Sequence, residues 1–265
     1  MGSSPRAAAQ GQPPFRWAWP WAGPIKDRRR RPDPAQPLAA SPGPDGVAVV
    51  AIGDVHGCFS LLDKALAPHF GSGVELIFLG DLIDRAPEPE GDRRVLRRVW
   101  QLQADPAAHG LARVTVLRGN HEQVVLDVLE ELGQGQADGP FHRFWLTHGG
   151  DPALLPMVRS NREWFASLPH YAIRGDYLFV HAGVAPAVPL ERQHAHDLLW
   201  IREPFLNADD HGLPWIVVHG HSASADGAPQ HLPHRIGLDT GACFGGPLTA
   251  LRLPPLSSDS SDPVA

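Results

Sequence analysis

The 265-residue chain lacks the features that would place it in several large protein classes. It has only two cysteines, Cys58 and Cys243, and no CxxC pair. No disulfide framework is implied, and a chain of this length can rest on a hydrophobic core instead. No apolar run approaches the roughly 18 residues that a membrane-spanning helix needs. Positive charge is not in excess: 23 Lys+Arg face 29 Asp+Glu, a net −6, which argues against general binding to a nucleic-acid backbone. No internal repeat is evident. A secretory signal is not expected either, because Pro13, Pro14, Pro20 and Pro24 interrupt any apolar stretch near the start. With two reduced thiols, this predicts a cytoplasmic protein. A hydrophobic fraction of 43% excludes a wholly disordered chain.

What is present is unevenly placed. The first 46 residues hold 10 of the 28 prolines and a net +4, leaving −10 for the remainder. Residues 1–46 read as a disordered Pro/Arg-rich leader. Its Trp17, Trp19 and Trp21, beside Arg28–Arg31, offer a contact for an unknown partner. Residues 47–254 read as one folded domain, and 255–265 as a frayed Ser/Asp/Pro tail. From Val47 the texture becomes βαβαβ. Short β-branched runs at 47–52, 74–79 and 114–117 alternate with helical periodicity at 59–70, at 93–102 and after Asn120. This predicts parallel strands with right-handed crossovers. Residues 141–170 read as helix broken at Gly149-Gly150. Strands are expected at 177–180, 215–218, 235–239 and 248–253. The class is α/β, with mixed sheets and helices outside them.

The expected strands end in polar clusters: Asp54 and His56; Asp81 and Asp84; Asn120 and His121; His181; His219 and His221. Ligands of α/β sheets sit beyond the carboxyl ends of strands, so separate loops can bring these residues together. Carboxylates, imidazoles and one amide suit two divalent cations bridged by a carboxylate. Each cluster alone is as well explained by turn or capping chemistry; their agreement at successive strand ends favours metal.

Gly-Asp-Val-His-Gly (53–57), Gly-Asp-Leu-Ile-Asp-Arg (80–85), Gly-Asn-His-Glu (119–122), His-Ala-Gly (181–183) and Gly-His-Ser (220–222) resemble the calcineurin-like metallophosphoesterases, in particular the phosphoprotein phosphatase superfamily. Asp197-Leu-Leu-Trp-Ile-Arg202 and Asp239-Thr-Gly241 resemble its bacterial branch of serine/threonine phosphatases and symmetrical diadenosine tetraphosphatases. The resemblance implies two mixed β-sheets packed as a sandwich flanked by helices. It implies one cation on Asp54, His56 and Asp81, and a second on Asp81, Asn120, His181 and His221. Mn is favoured, with Fe, Zn or Co as alternatives. His121 would be the general acid, with its pKa raised by Asp84, and Arg85 and Arg202 would grip phosphate. A hydroxide held between the cations would attack in line, without a phosphoenzyme.

The activity implied is a metal-dependent phosphomonoesterase, foremost a serine/threonine protein phosphatase. The alternatives are a symmetrical bis(5'-nucleosyl)-tetraphosphatase, a phosphodiesterase and an inactive binding module. Arg118 and Glu122 read as supporting residues. His219, two positions before His221 in a strand, is expected on the same face and behind the metals. His148 is a candidate for the cleft wall. One departure stands out: Ala86-Pro87 follows Arg85 where the family usually has Gly, which predicts an altered loop path.

Overall fold

The computed structural model describes residues 38–41 and 46–254. The Trp17–Trp21 and Arg28–Arg31 readings and the tail at 255–265 lie outside the described residues.

A β-branched or aliphatic residue at nearly every position makes β1 (Val49–Ile52) a fully buried strand. With β2 (Glu75–Phe78), β3 (Arg113–Val116) and β9 (Ala250–Leu253) it forms a sheet of order β3-β2-β1-β9. β1, β2 and β3 run parallel, and β9 closes the edge antiparallel, with Ile52 opposite Ala250. The second sheet has the order β4-β5-β6-β8-β7. It is built from β4 (Tyr171–Arg174), β5 (Tyr177–Val180), β6 (Ile216–His219), β7 (Gln230–His231) and β8 (Arg235–Gly237). Its centre, β5-β6-β8, is parallel, and both edge strands are antiparallel.

The period of two along these strands sorts side chains between layers. Phe179 and Val218 join Val49, Ala51, Ile77 and Leu79 in the core between the sheets. Their neighbours Leu178, Val180 and Val217 pack outward against Leu198 and Phe205. The expected sandwich is therefore the observed one. Helices α1 (Phe59–Leu66), α2 (Gly91–Ala104) and α3 (Asn120–Gly133) follow β1, β2 and β3, burying Leu62 and Leu66, Val95 and Val99, and Val124 and Val128 respectively. Three shorter helices, α4 (Pro140–Thr147), α5 (Leu155–Ser160) and α6 (Arg162–Ser167), occupy the broken helical stretch, and α7 (Ala195–Trp200) precedes β6. Among the described residues no helix is long and apolar enough to cross a membrane.

Leu38–Ser41, assigned by sequence to the leader, runs beside β4. Ala39 bridges Tyr171 in parallel, the Ala40 N–H donates to the Tyr171 carbonyl at 2.8 Å, and Ala40 packs against the core between the sheets.

Candidate functional site

The carboxyl ends of the parallel strands of both sheets meet at one edge, and backbone hydrogen bonds tie their loops together. The N–H groups of Val55 and His56 both donate to the Asp81 carbonyl, at 3.0 and 2.9 Å. The Gly220 N–H donates to the His181 carbonyl at 2.8 Å. Gly53 passes so close to the Leu238 carbonyl that any Cβ there would overlap it. The motif glycine is thus needed for the approach of the two sheets, not for a turn.

Asp81 is the hub. Its Oδ1 accepts the His121 N–H at 3.0 Å, at the positive end of α3, and lies 3.4 Å from His181 Nε2. Its Oδ2 lies 3.5 Å from His56 Nε2 and 3.9 Å from His121 Nε2. Asn120 Oδ1 lies 2.8 Å from His181 Nε2 and 3.0 Å from His221 Nδ1. The Asp54 carboxylate accepts the His221 N–H, at 3.0 and 3.1 Å to its two oxygens.

The imidazoles are aimed by their far nitrogens. His56 Nδ1 faces the Ile83 carbonyl at 2.9 Å, and His181 Nδ1 faces that of Leu79 at 2.9 Å, leaving Nε2 of each toward Asp81. This is how metal-ligating histidines are commonly oriented. Two groups have donor atoms that all lie within 4.8 Å of one another: His56, Asp81 and His121, and Asp81, His181 and His221. Asp54 falls outside both groups. In the first, His121 stands where the sequence reading placed Asp54.

The donor chemistry fits divalent cations. Burial, reinforced by the charges of Asp239 and Asp81, pushes the Asp54 carboxyl well above the usual range; burial and Glu122 do the same to Asp81. Burial holds His56, His181 and His221 below the ordinary imidazole value, hence in the neutral form that ligates metal. A fixed cation already sits beside this set: the Arg85 guanidinium donates to His56 Nε2 at 3.0 Å.

His121 Nδ1 and Asp84 Oδ2 are 2.7 Å apart, the pairing expected from the motif. The expected rise in the His121 pKa is not found. Burial, with Arg85 second, holds His121 well below its usual value, and burial pushes Asp84 up to about 7. Neither member favours its charged form, because both are out of water.

Arg202 donates to Ser222 Oγ at 3.0 Å and to the His221 carbonyl at 3.1 Å, so it stands beside the metal-side loop. It follows the end of α7, two residues beyond Trp200. His219 also departs from expectation. It points outward, edge-to-face on Phe205 at 5.1 Å and 3.3 Å from Arg235. His221 lies beyond the strand with φ 64°, so strand alternation does not carry over to it.

Asp84 and Arg85 both take left-handed backbone (φ 69° and 61°), after which Ala86 packs against Gly57 and Gly91. Beyond it opens a cavity of about 430 Å³ lined by Arg85, Ala86, Asp92, Asp151 and Leu154 among others. His148 stacks on Phe144 at 3.8 Å, and burial holds its imidazole below the ordinary value. Both cysteines are free, and burial pushes their thiols up to about 12 at Cys58 and about 11 at Cys243, far from a thiolate nucleophile.

Sequence reasoning gave Glu122 no specific task. Its buried carboxylate accepts the N–H groups of Leu82 (2.8 Å), Asp81 (2.9 Å) and Gly119 (2.9 Å), fixing both motif loops at once. Glu122→Gln turns an NH2 toward these donors. It is expected to cost about 1–3 kcal/mol of stability, since buried N–H groups lose their acceptor. Urea unfolding midpoints measure this, and an unchanged midpoint would refute the role. Trp145, which donates to Asp84, was missed altogether; no local signal links positions so far apart in sequence.

Residues 47–242 match the model of the calcineurin-like phosphoesterase family. The chain is 31% identical over 223 residues to serine/threonine-protein phosphatase 1 of Salmonella typhimurium, covering 77% of this chain and 91% of that protein. It is 27% identical over 253 residues to the asymmetrical bis(5'-nucleosyl)-tetraphosphatase PrpE of Bacillus anthracis, covering 79% and 92%. A cold-active protein-tyrosine phosphatase from a psychrophilic Shewanella shares its fold, with a TM-score of 0.53 at 18% identity over 83% of each chain.

Proposed function

The chain belongs to the calcineurin-like phosphoesterases, hydrolases of phosphoester bonds, and from that premise we propose that it is a dinuclear-metal-dependent phosphomonoesterase acting on phosphoserine or phosphothreonine in proteins. The observation that carries the metal part is the single Asp81 carboxylate facing His56 with one oxygen and His181 with the other. The protein-substrate part is supported by the Salmonella relative.

Asp54, His56 and Asp81 would hold one cation, and Asp81, Asn120, His181 and His221 the other. Mn is favoured, with Fe, Zn or Co compatible with the same oxygen and nitrogen donors. Bound cations would neutralise phosphate oxygens and lower the pKa of water toward neutrality, supplying a nucleophile for in-line attack. The chain's own residues do the rest. Arg85, which lines the cavity, offers a forked guanidinium to two phosphate oxygens, and Arg202 offers a second beside His221. His56 Nε2 has one lone pair and cannot serve Arg85 and a cation at once, so with a cation held there the guanidinium would be left for phosphate. His121 Nε2 holds the proton for the leaving oxygen while Asp84 fixes its ring through Nδ1. We place this activity in the cytoplasm.

A dinucleoside tetraphosphatase is the second reading, favoured by the PrpE relative. Protein reconstituted with Mn is expected to hydrolyse p-nitrophenyl phosphate and a phosphoserine peptide, and to leave bis-p-nitrophenyl phosphate almost untouched. Faster turnover of diadenosine tetraphosphate than of the peptide would replace the first reading by the second. Preference for the diester would sink both.

A further inference from the structure

Asp84 has a second partner besides His121. The Trp145 indole Nε1–H points between its two oxygens, 2.9 Å from each, while Oδ2 alone faces His121 Nδ1. Trp145 is fully buried on α4. We propose that Trp145 is a positioning residue for proton donation to the leaving group, acting through Asp84 on His121. The proposal rests on the reading of His121 as the general acid.

A carboxylate turns easily about its last torsion, which is broad and two-fold. A donor centred on both oxygens fixes the carboxylate plane, and that plane decides where Oδ2 receives the imidazole. The indole is itself clamped. The Gly150 backbone lies on its face, where any Cβ would overlap the ring, and the N–H groups of Gly150 and His148 both donate to the Trp145 carbonyl at 3.0 Å. The Gly149 carbonyl accepts the Arg85 N–H at 2.9 Å, and Gly149 has φ 93°, open to glycine but costly for other residues. One turn, His148-Gly149-Gly150, thus holds both the support of the acid–base pair and the backbone of the phosphate-gripping arginine. A buried indole N–H needs some acceptor. Here the acceptor is a carboxylate already committed to His121, and that choice links the tryptophan to catalysis.

The test compares phenyl phosphate, whose leaving group needs a proton, with p-nitrophenyl phosphate, whose stabilised phenolate departs without much help. The variants are Trp145→Phe, His121→Asn and the double variant, all as full-length, Mn-loaded protein. Trp145→Phe is expected to lower kcat on phenyl phosphate by about 10- to 100-fold, the range for partners that orient a site residue. On p-nitrophenyl phosphate it is expected to lose less than about threefold, because little protonation is needed there. KM should be unchanged, and the double variant should be no slower than His121→Asn alone. If Trp145→Phe does not fold, β-(3-benzothienyl)alanine at position 145 replaces the N–H by sulfur in nearly the same volume and is expected to give the same asymmetry. An equal loss on both substrates, or none, while His121→Asn keeps its asymmetry would overturn the positioning role alone. Absence of asymmetry in His121→Asn itself would overturn the general-acid reading and the proposal with it.

Discussion

Asp81→Asn is expected to lower turnover of p-nitrophenyl phosphate by at least about 1,000-fold, equivalent to about 4 kcal/mol of transition-state stabilisation. The same change should reduce bound Mn, measured by plasma mass spectrometry, below two per chain. The amide keeps the shape of the side chain but loses its charge and replaces one acceptor oxygen by a donor. Both losses fall where the two imidazole sets converge, because Oδ1 lies 3.4 Å from His181 and Oδ2 3.5 Å from His56. A structural explanation of the lost activity predicts a less stable protein, whereas the metal explanation predicts the opposite in metal-free protein. Burial and the nearby Glu122 raise the Asp81 carboxyl well above its usual value. A group whose pKa is raised by folding costs stability as pH climbs above its unfolded value, so at neutral pH the ionised carboxylate destabilises the metal-free fold. Removing it should hold or raise the thermal midpoint without metal and abolish the further rise that Mn brings to the parent protein. Full turnover and two Mn per chain in the variant would exclude Asp81 as the bridge.

The parts of this site that were legible in the sequence share one property: each is written within a few residues of a strand end. Gly53-Asp54-Val55-His56 and Gly80-Asp81 follow apolar runs that can only be buried strands, and the polar residues behind them are forced to the sheet edge. The less legible parts depend on contacts between distant segments or on backbone conformation. Tyr171–Arg174 escaped as a strand because it is a partly buried edge of four residues, recognisable chiefly by its pairing with Tyr177–Val180. Trp145 reaches Asp84 across the whole of α2, β3 and α3. The assignment of His219 failed because His221 takes φ 64°, which rotates its side chain away from strand alternation. His56, Asp81, Asp84 and Arg85 share that left-handed backbone, at φ 46°, 51°, 69° and 61°. Non-glycine residues adopt it at a cost of about 1–3 kcal/mol each, and the surrounding structure must supply it. In sequence these four positions carry no mark of that strain. In the folded chain the Glu122 carboxylate, accepting three backbone N–H groups, is one visible part of what sustains it.

His121→Asn separates two roles that the geometry leaves adjacent. Its Nε2 is 3.9 Å from Asp81 Oδ2, close enough that His56, Asp81 and His121 form a plausible ligand trio by distance. Its Nδ1 is 2.7 Å from Asp84. A ligand would lose metal on substitution; a general acid would lose rate and keep metal. The second outcome is expected, because a carboxylate pinned by Trp145 and paired with Nδ1 orients the ring for proton transfer. The effect on kcat for phenyl phosphate should reach about 10²–10⁴-fold, the usual contribution of a positioned acid, with a smaller loss on p-nitrophenyl phosphate. Burial and Arg85 keep the free imidazole neutral. The phosphoryl group entering the site brings the opposite charge to within reach of Nε2, and a nearby anion raises an imidazole pKa. On the reading of His121 as the general acid, substrate binding would therefore arm it. Binding of vanadate, a phosphate-like anion, should shift the His121 ring protons in NMR spectra toward the protonated form, and the Asp84→Asn variant should show a smaller shift. A ring that stays neutral with vanadate bound, or a His121→Asn protein that has lost its Mn, would make His121 a ligand instead.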